Sequence, residues 1–291
     1  MTVLTDNRLV ASELLVNTNK ELQLKRLSGA LNKCVEESAP AFQWVGGVKF
    51  VSSNPRDACD RVIALGKERL GRHIHLANAY TVALADKSVE YRQVLAAPAL
   101  VFPDGRPIGW ISRLRGQTPR LAQVRGPQLF LDVLDHGRSA GIRHYLLGST
   151  PEVLALLESR LTKMFPGIRI VGVESPPFRP VSAVEYEAQD ERIRSSEAHI
   201  VWVGLGTPKQ DVEAQRLSGS VPVVAIAIGA AFDFAAGTLP EAPVWVRKIG
   251  MEWSYRLLRE PKRLWKRYFF GNARFLKAAV VHRGPTVDPC R

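Results

Sequence analysis

From Val48 onward the chain alternates short apolar runs with stretches of helical period. Seven runs read as strands: Val48–Val51, His73–Ala77, Leu100–Phe102, His144–Leu147, Ile168–Val173, His199–Val203 and Val221–Ile228. Between them the spacing predicts helices. Asn54-Pro55-Arg56-Asp57 opens one that carries Ala58, Val62, Ile63 and Leu65 on its apolar side and stops at Gly71. Others begin at Ala79, run from Gly126-Pro127 through Leu134, and cover Pro151–Met164, Val184–Ser195 and Gln210–Leu217. Regular βα alternation with short loops predicts an α/β fold. Its sheet is expected to be largely parallel and Rossmann-like, with helices on both faces.

The two ends differ from this middle. Residues 1–47 form a weakly patterned leader in which Leu14, Leu15, Leu22, Leu24, Leu27 and Leu31 suit one or two short helices; no role is assigned to it. Residues 48–246 make the α/β core, and 247–291 a basic, aromatic appendage. Between Arg247 and Lys277 ten basic residues face only Glu252 and Glu260, a local +8 out of a total of +12. Trp253, Trp265, Tyr268 and Phe269 are interleaved with these charges, and Pro261 divides the segment into two amphipathic helices.

Charge narrows the choice of partner. Forty Lys and Arg against 28 Asp and Glu in 291 residues point to an anionic ligand: nucleic acid, anionic lipid or a phosphorylated substrate. Cys34, Cys59 and Cys290 are far apart, which argues against a disulfide framework and a cysteine zinc site. The start of the chain lacks the basic-then-apolar pattern of a signal peptide. The longest apolar stretch, Val221–Ala231, is about half the ~20 residues of a bilayer span. A cytoplasmic protein with peripheral membrane contact is expected.

Ligands of open parallel sheets bind at the carboxyl ends of the strands. Four such ends carry polar, Gly-marked sequence here: Asn78, Asp104-Gly105, Gly204–Gln210, and Gly229 with Phe232-Asp233. Gly204-Leu205-Gly206 is a poor dinucleotide fingerprint, because Lys209 stands where the third glycine belongs and Pro208 lacks an N–H. Gly206 instead suits close approach of a ligand to backbone, and Gln210 offers an amide. Neither a P-loop nor Gly-x-Ser-x-Gly occurs. Asp-x-Asp is absent too, and His73 and His75 lack a third ligand nearby, so no metal and no cofactor is called for.

Several ordered motifs carry a family resemblance. Trp202–Asp211 resembles the signature Gly-x-Pro-x-Gln-Glu, with Asp211 where Glu is usual. Gly229–Gly237, Ala242-Pro243 and Gly250–Arg263 resemble a C-terminal block, while Asn78-Ala79, Pro103-Asp104-Gly105, Arg125-Gly126 and Leu147-Gly148 follow in order upstream. By these residues, over about 48–270, the chain resembles the WecG/TagA/CpsF glycosyltransferases. The resemblance implies an inverting, metal-independent transfer from a UDP-sugar to a lipid-diphosphate-linked saccharide at the inner face of the membrane. It places the base on Asp104 and substrate contacts on Asn78, Arg125, Gln210 and Asp233. Leu76 stands where the family often has Thr, a departure that bears on donor or acceptor identity.

The residues suit such chemistry. One carboxylate must take the acceptor's proton, and a partly desolvated one is the stronger base. The leaving diphosphate needs cations, for which Arg125, Arg256, Arg263 and Arg267 are candidates. Two other classes compete: a nucleic-acid module built on the basic aromatic segment, and a Rossmann-type oxidoreductase. The first lacks a stacking platform on strands, so no nucleic-acid partner is expected; Lys209 disfavours the second. An anionic membrane surface is the expected docking partner. The sequence leaves the donor sugar and the oligomeric state, a homo-oligomer included, open.

Overall fold

The computed structural model describes residues 41–284, apart from the side chains of Arg247, Lys248 and Arg263. The leucines of the leader lie outside the described residues. A hairpin, β1 (Phe42–Val45) and β2 (Val48–Val51), comes first and is antiparallel. The six remaining strands are β3 (Arg72–Ala77), β4 (Leu100–Pro103), β5 (Arg143–Gly148), β6 (Arg169–Glu174), β7 (Ile200–Gly204) and β8 (Val224–Ala227). They form one sheet in the order β4-β3-β8-β7-β5-β6, every pair parallel. Val48–Val51 is therefore a correction: it is a strand, but it packs beside β4 as part of a hairpin and does not open the parallel sheet.

Twelve helices are found among the described residues, eight between strands and four after β8: α1 (Pro55–Glu68), α2 (Ala79–Lys87), α3 (Val89–Val94), α4 (Arg106–Leu114), α5 (Gly126–His136), α6 (Pro151–Met164), α7 (Ala183–Ser195), α8 (Lys209–Ser220), α9 (Ala231–Ala236), α10 (Val244–Lys248), α11 (Glu252–Arg259) and α12 (Pro261–Val281). Their starts follow local chemistry. Asn54, Thr150 and Ser182 accept hydrogen bonds from backbone N–H groups of the first turn, and Pro55 and Pro151 occupy positions where no N–H is needed. Four of the twelve, α3, α4, α9 and α10, were not expected from the pattern.

Strand alternation divides the core. Ile74, Leu76, Phe102, Leu146, Trp202 and Ile226 face α1, α5, α6 and α9. Trp202 is buried there against Phe130, edge to face at 4.9 Å between centroids, and Phe130 meets Phe232 at 5.6 Å. Such aromatic pairs contribute about 0.5–1.5 kcal/mol each beyond area burial. Leu147, Val201, Val203, Ala225 and Ala227 face the other way, towards Ile193 of α7 and Ala214 and Leu217 of α8. Beyond them on that side, Ala77 and Val101 join the hairpin, α2 and α12 in a further cluster.

The C-terminal helix is thus built into the hydrophobic layers. Phe275, Ala278 and Ala279 of α12 are buried with Val45, Val48, Phe50 and Val82. Arg274 donates to Asp86 at 2.7 Å. Gly46 has φ +60°, and a Cβ there would lie 2.4 Å from Val82 Cγ1. The hairpin turn can meet α2 and α12 only without a side chain. Removing residues 247–291 would strip this cluster of one wall, so point substitutions are the cleaner probe of the segment.

Candidate active site

In the sheet order, β3 lies between β4 and β8, so the chain leaves β3 for one edge and later returns to its other side. A topological switch of this kind opens a crevice at the carboxyl ends of the strands. Asn78, Asp104 and Gly229 follow β3, β4 and β8, and Gly206 follows β7, so the sheet gathers on one rim residues far apart in sequence.

Asp104 sits at the N-terminus of α5. Its Oδ1 accepts the Gly126 N–H at 2.8 Å, its backbone N–H donates to Ala77 O at 2.9 Å, and Gln123 Nε2 donates to its carbonyl at 2.9 Å. Burial pushes its pKa up to about 6, against the lowering effect of the Gly126 N–H; Glu252 adds to the rise, while Arg125 and Arg256 oppose it. Space at Gly126 is tight, since a Cβ would stand 3.2 Å from Ile228 O. Leu76, where Thr was expected, is buried in the core and puts apolar surface beside Gly126. If the deprotonated carboxylate does the work, kcat/KM should rise with pH and be half-maximal near pH 6. A pH-rate profile measures this; a half-maximum near pH 4 would show that the base is not Asp104.

Asn78 caps α2. Its Oδ1 accepts from Tyr80 N–H at 3.0 Å and Thr81 N–H at 3.3 Å, and the Asn78 N–H donates to Thr81 Oγ1. Its Cβ lies 3.3 Å from where a Cβ on Gly105 would be, so the cap sets Asn78 directly against the Asp-Gly turn.

Gln210, buried at 2% exposure on α8, joins two loops: its Oε1 accepts from the Gly206 and Gly229 N–H groups, both at 3.1 Å. The amide carbonyl thereby holds the β7 and β8 loops together. Gly206 has φ +77° and open space around it. Asp233, half-buried in α9, lies beside Thr238, whose hydroxyl donates to the Asp233 backbone carbonyl at 3.1 Å.

Arg125 carries the connection to the C-terminal segment. Its Nε and Nη2 donate to Glu252 of α11 at 3.2 and 2.8 Å, and Nη2 also reaches Glu241 at 3.2 Å. A cavity of about 320 Å³ opens beside it, lined also by Arg106, Gln123, Gln128 and Val244. Arg256 lies 5.6 Å from the Phe234 ring centre, and Arg267 4.0 Å from that of Tyr80 on α2. Arg263 belongs to α12, and its side chain lies outside the described residues.

All of these residues lie within the span of one family model. The chain matches the model of the glycosyl transferase WecG/TagA/CpsF family over residues 43–286. It belongs to that family. The transferase is accordingly one of a group that builds cell-surface polysaccharides from nucleotide-sugar donors and lipid-linked acceptors. No helix among the described residues is long and apolar enough to cross a membrane.

Under the rim the transferase holds a buried polar chain that sequence reasoning missed. His75 Nδ1 donates to Asp211 Oδ1 at 2.9 Å, Tyr91 OH donates to Asp211 Oδ2 at 2.9 Å, and His73 Nδ1 and His75 Nε2 are 2.9 Å apart. Burial, with His75 and Arg72 nearby, pushes His73 down to about 4, so it is neutral at pH 7. The two histidines that suggested a metal pair are engaged with each other and with Asp211. The signal available in sequence was the alternation of His73 and His75 on a strand; their partner, 136 residues beyond His75, could not be read from it. Glu241 and Glu252, the partners of Arg125, were missed for the same reason.

Proposed function

We propose that the protein is an inverting, metal-independent transferase that moves a sugar from a UDP-sugar to a lipid-diphosphate-linked saccharide, working at the inner face of the cell membrane. The observation that carries this reading is Asp104: a half-buried carboxylate at a strand end, its pKa raised to about 6, with Arg125 and Arg256 close enough to act on it electrostatically. In the reaction, the acceptor oxygen attacks the anomeric carbon as Asp104 takes its proton. The bond from that carbon to the diphosphate oxygen breaks, and UDP leaves with the electron pair. Inversion follows from this single displacement.

Charge building on the diphosphate requires cations placed in advance. Arg125 and Arg256 stand nearest to Asp104, and Arg263 and Arg267 belong to the next helix; guanidinium suits diphosphate geometry. An incoming diphosphate competes with Glu241 and Glu252 for Arg125. Asn78 and Asp233 supply further polar contacts, and the Gly206 and Gly229 loops, tied by Gln210, leave room for a ligand against backbone. The exposed aromatics of α12, Trp265, Phe269 and Phe270, with the surrounding basic residues, suit an anionic bilayer surface.

A panel of UDP-sugars offered with a lipid-diphosphate monosaccharide, read by mass spectrometry, tests the proposal. One donor should give a product heavier by one sugar, with the anomeric configuration inverted by NMR. Retention of configuration would overturn the single displacement. Activity should also survive excess EDTA, since the arginines are placed to serve the leaving group. Loss in EDTA, restored by Mg²⁺ or Mn²⁺, would overturn that account.

A further inference from the structure

Helix α4 begins one residue after the Asp104-Gly105 turn. Its inner side is built into the protein. Ile108 and Ser112 are buried, and the Ser112 hydroxyl donates to Gln43 Oε1 at 2.7 Å and accepts the Leu121 N–H at 3.1 Å. Its outer side is a different surface. Arg106, Trp110, Arg113 and Leu114 share one helical stripe and all four are exposed, Trp110 at 45% and Leu114 at 82%.

Two further observations say what this stripe meets. First, residues 105–131 contain five arginines and no acidic residue, and two of them, Arg106 and Arg113, are exposed on the stripe itself beside the apolar pair. A contact surface for an ordinary protein surface of mixed charge has no need of such exclusion; an anionic sheet of headgroups does. Second, α4 is tied to the C-terminal segment. Arg115, just past its end, donates to Trp44 O at 2.8 Å and to Ala279 O of α12. A Cβ on Gly250, between α10 and α11, would lie 3.1 Å from Trp110 Cζ2. Trp245, Ile249 and Met251 beside that contact are themselves exposed.

We propose that α4 is a membrane-contacting element of the catalytic core, inserting Trp110 and Leu114 among the headgroups of an anionic bilayer. This rests on the reading of the protein as a membrane-surface transferase and adds to it: the helix that follows the base directly lies on the lipid. Tryptophan settles at such an interface, and long arginine side chains reach outward to phosphates. The mouth of the site is thereby turned to the surface from which a lipid-linked acceptor arrives.

The test uses the full chain and vesicles of phosphatidylcholine with or without phosphatidylglycerol. Three proteins are compared by flotation: the natural sequence, W110S/L114S, and W265S/F269S in α12. Each variant is first checked by its melting temperature, and R113Q serves as a milder change at an exposed position. W110S/L114S should bind anionic vesicles roughly 10-fold more weakly, R113Q several-fold, and high salt should release the natural protein. Brominated lipid should quench the fluorescence of the natural protein more than that of a W110F variant. If W265S/F269S weakens binding while W110S/L114S and R113Q do not, α4 is not on the membrane and the proposal falls, with the wider reading intact. If the natural protein floats with neither vesicle, the wider membrane reading falls with it. If W110S/L114S instead splits a dimer by light scattering and leaves flotation unchanged, the stripe is a protein interface and the proposal is overturned.

Discussion

Asp104→Asn should reduce turnover by about 10²–10⁴ while leaving the fold intact, the range expected for loss of a positioned general base. The amide keeps an oxygen for the Gly126 N–H, which now reaches Oδ1 at 2.8 Å, but it cannot take the acceptor's proton. The same change should stabilise the protein above neutrality. Burial raises the folded-state pKa to about 6, above the ordinary carboxylate value, so the folded state holds the proton more tightly than the unfolded one. The resulting stability is fully present at low pH and is lost as pH rises through about 6. At pH 7.5 the native carboxylate is a cost that Asn removes, and the melting temperature should rise, by about 2–4 °C for each 1 kcal/mol removed. At pH 4 the two proteins should melt together. Turnover within threefold of the natural enzyme would take Asp104 out of the chemistry and turn attention to Asp233 on the same rim. A destabilised variant at pH 7.5 would mean that the carboxylate is held by interactions stronger than its burial.

Asp211→Ala should be the most damaging single change to stability near the site. Asp211 is 2% exposed and accepts from both His75 Nδ1 and Tyr91 OH. Truncation leaves two buried donors on β3 and α3 without their acceptor, each worth about 1–3 kcal/mol. A total of roughly 3–5 kcal/mol is expected, read as a lowered midpoint in urea with an unchanged slope. Tyr91→Phe takes one donor from Asp211 and leaves it the bond from His75, so it should cost less, about 1–3 kcal/mol. The difference between the two variants separates a hydrogen-bond network from mere packing. If Asp211→Ala costs under about 1 kcal/mol, the network is not what joins α8 to β3. Because Gln210 is the adjacent residue and ties the Gly206 and Gly229 loops, a loosened α8 should also weaken donor binding, measured as a raised KM for the UDP-sugar.

The hydrophobic pattern of the chain carried the α/β class, the strands β3 to β8 and most of the helices between them. Those features depend on local period and on local caps such as Asn54-Pro55 and Thr150-Pro151, which a linear reading captures. The rim residues Asn78, Asp104 and Gly229 were legible for the same reason, since each directly follows a strand. Helix α4 was not. Gly105 and Gly109 look like loop sequence, and the packing of Ile108 and the bonds of Ser112 help to hold nine residues helical there. Strand β2 read as a strand but could not be assigned to a sheet, because its pairing with β1 is decided by contacts with β4 and α12.

The partners of the charged residues were wholly a tertiary matter. Arg125 meets Glu252 across 127 residues, and His75 meets Asp211 across 136. Sequence determined that these groups exist. The order β4-β3-β8-β7-β5-β6 decided which of them meet, because a side chain's period is set by its own neighbours in the chain, whereas the partner of a buried charge is set by which strand lies next to it.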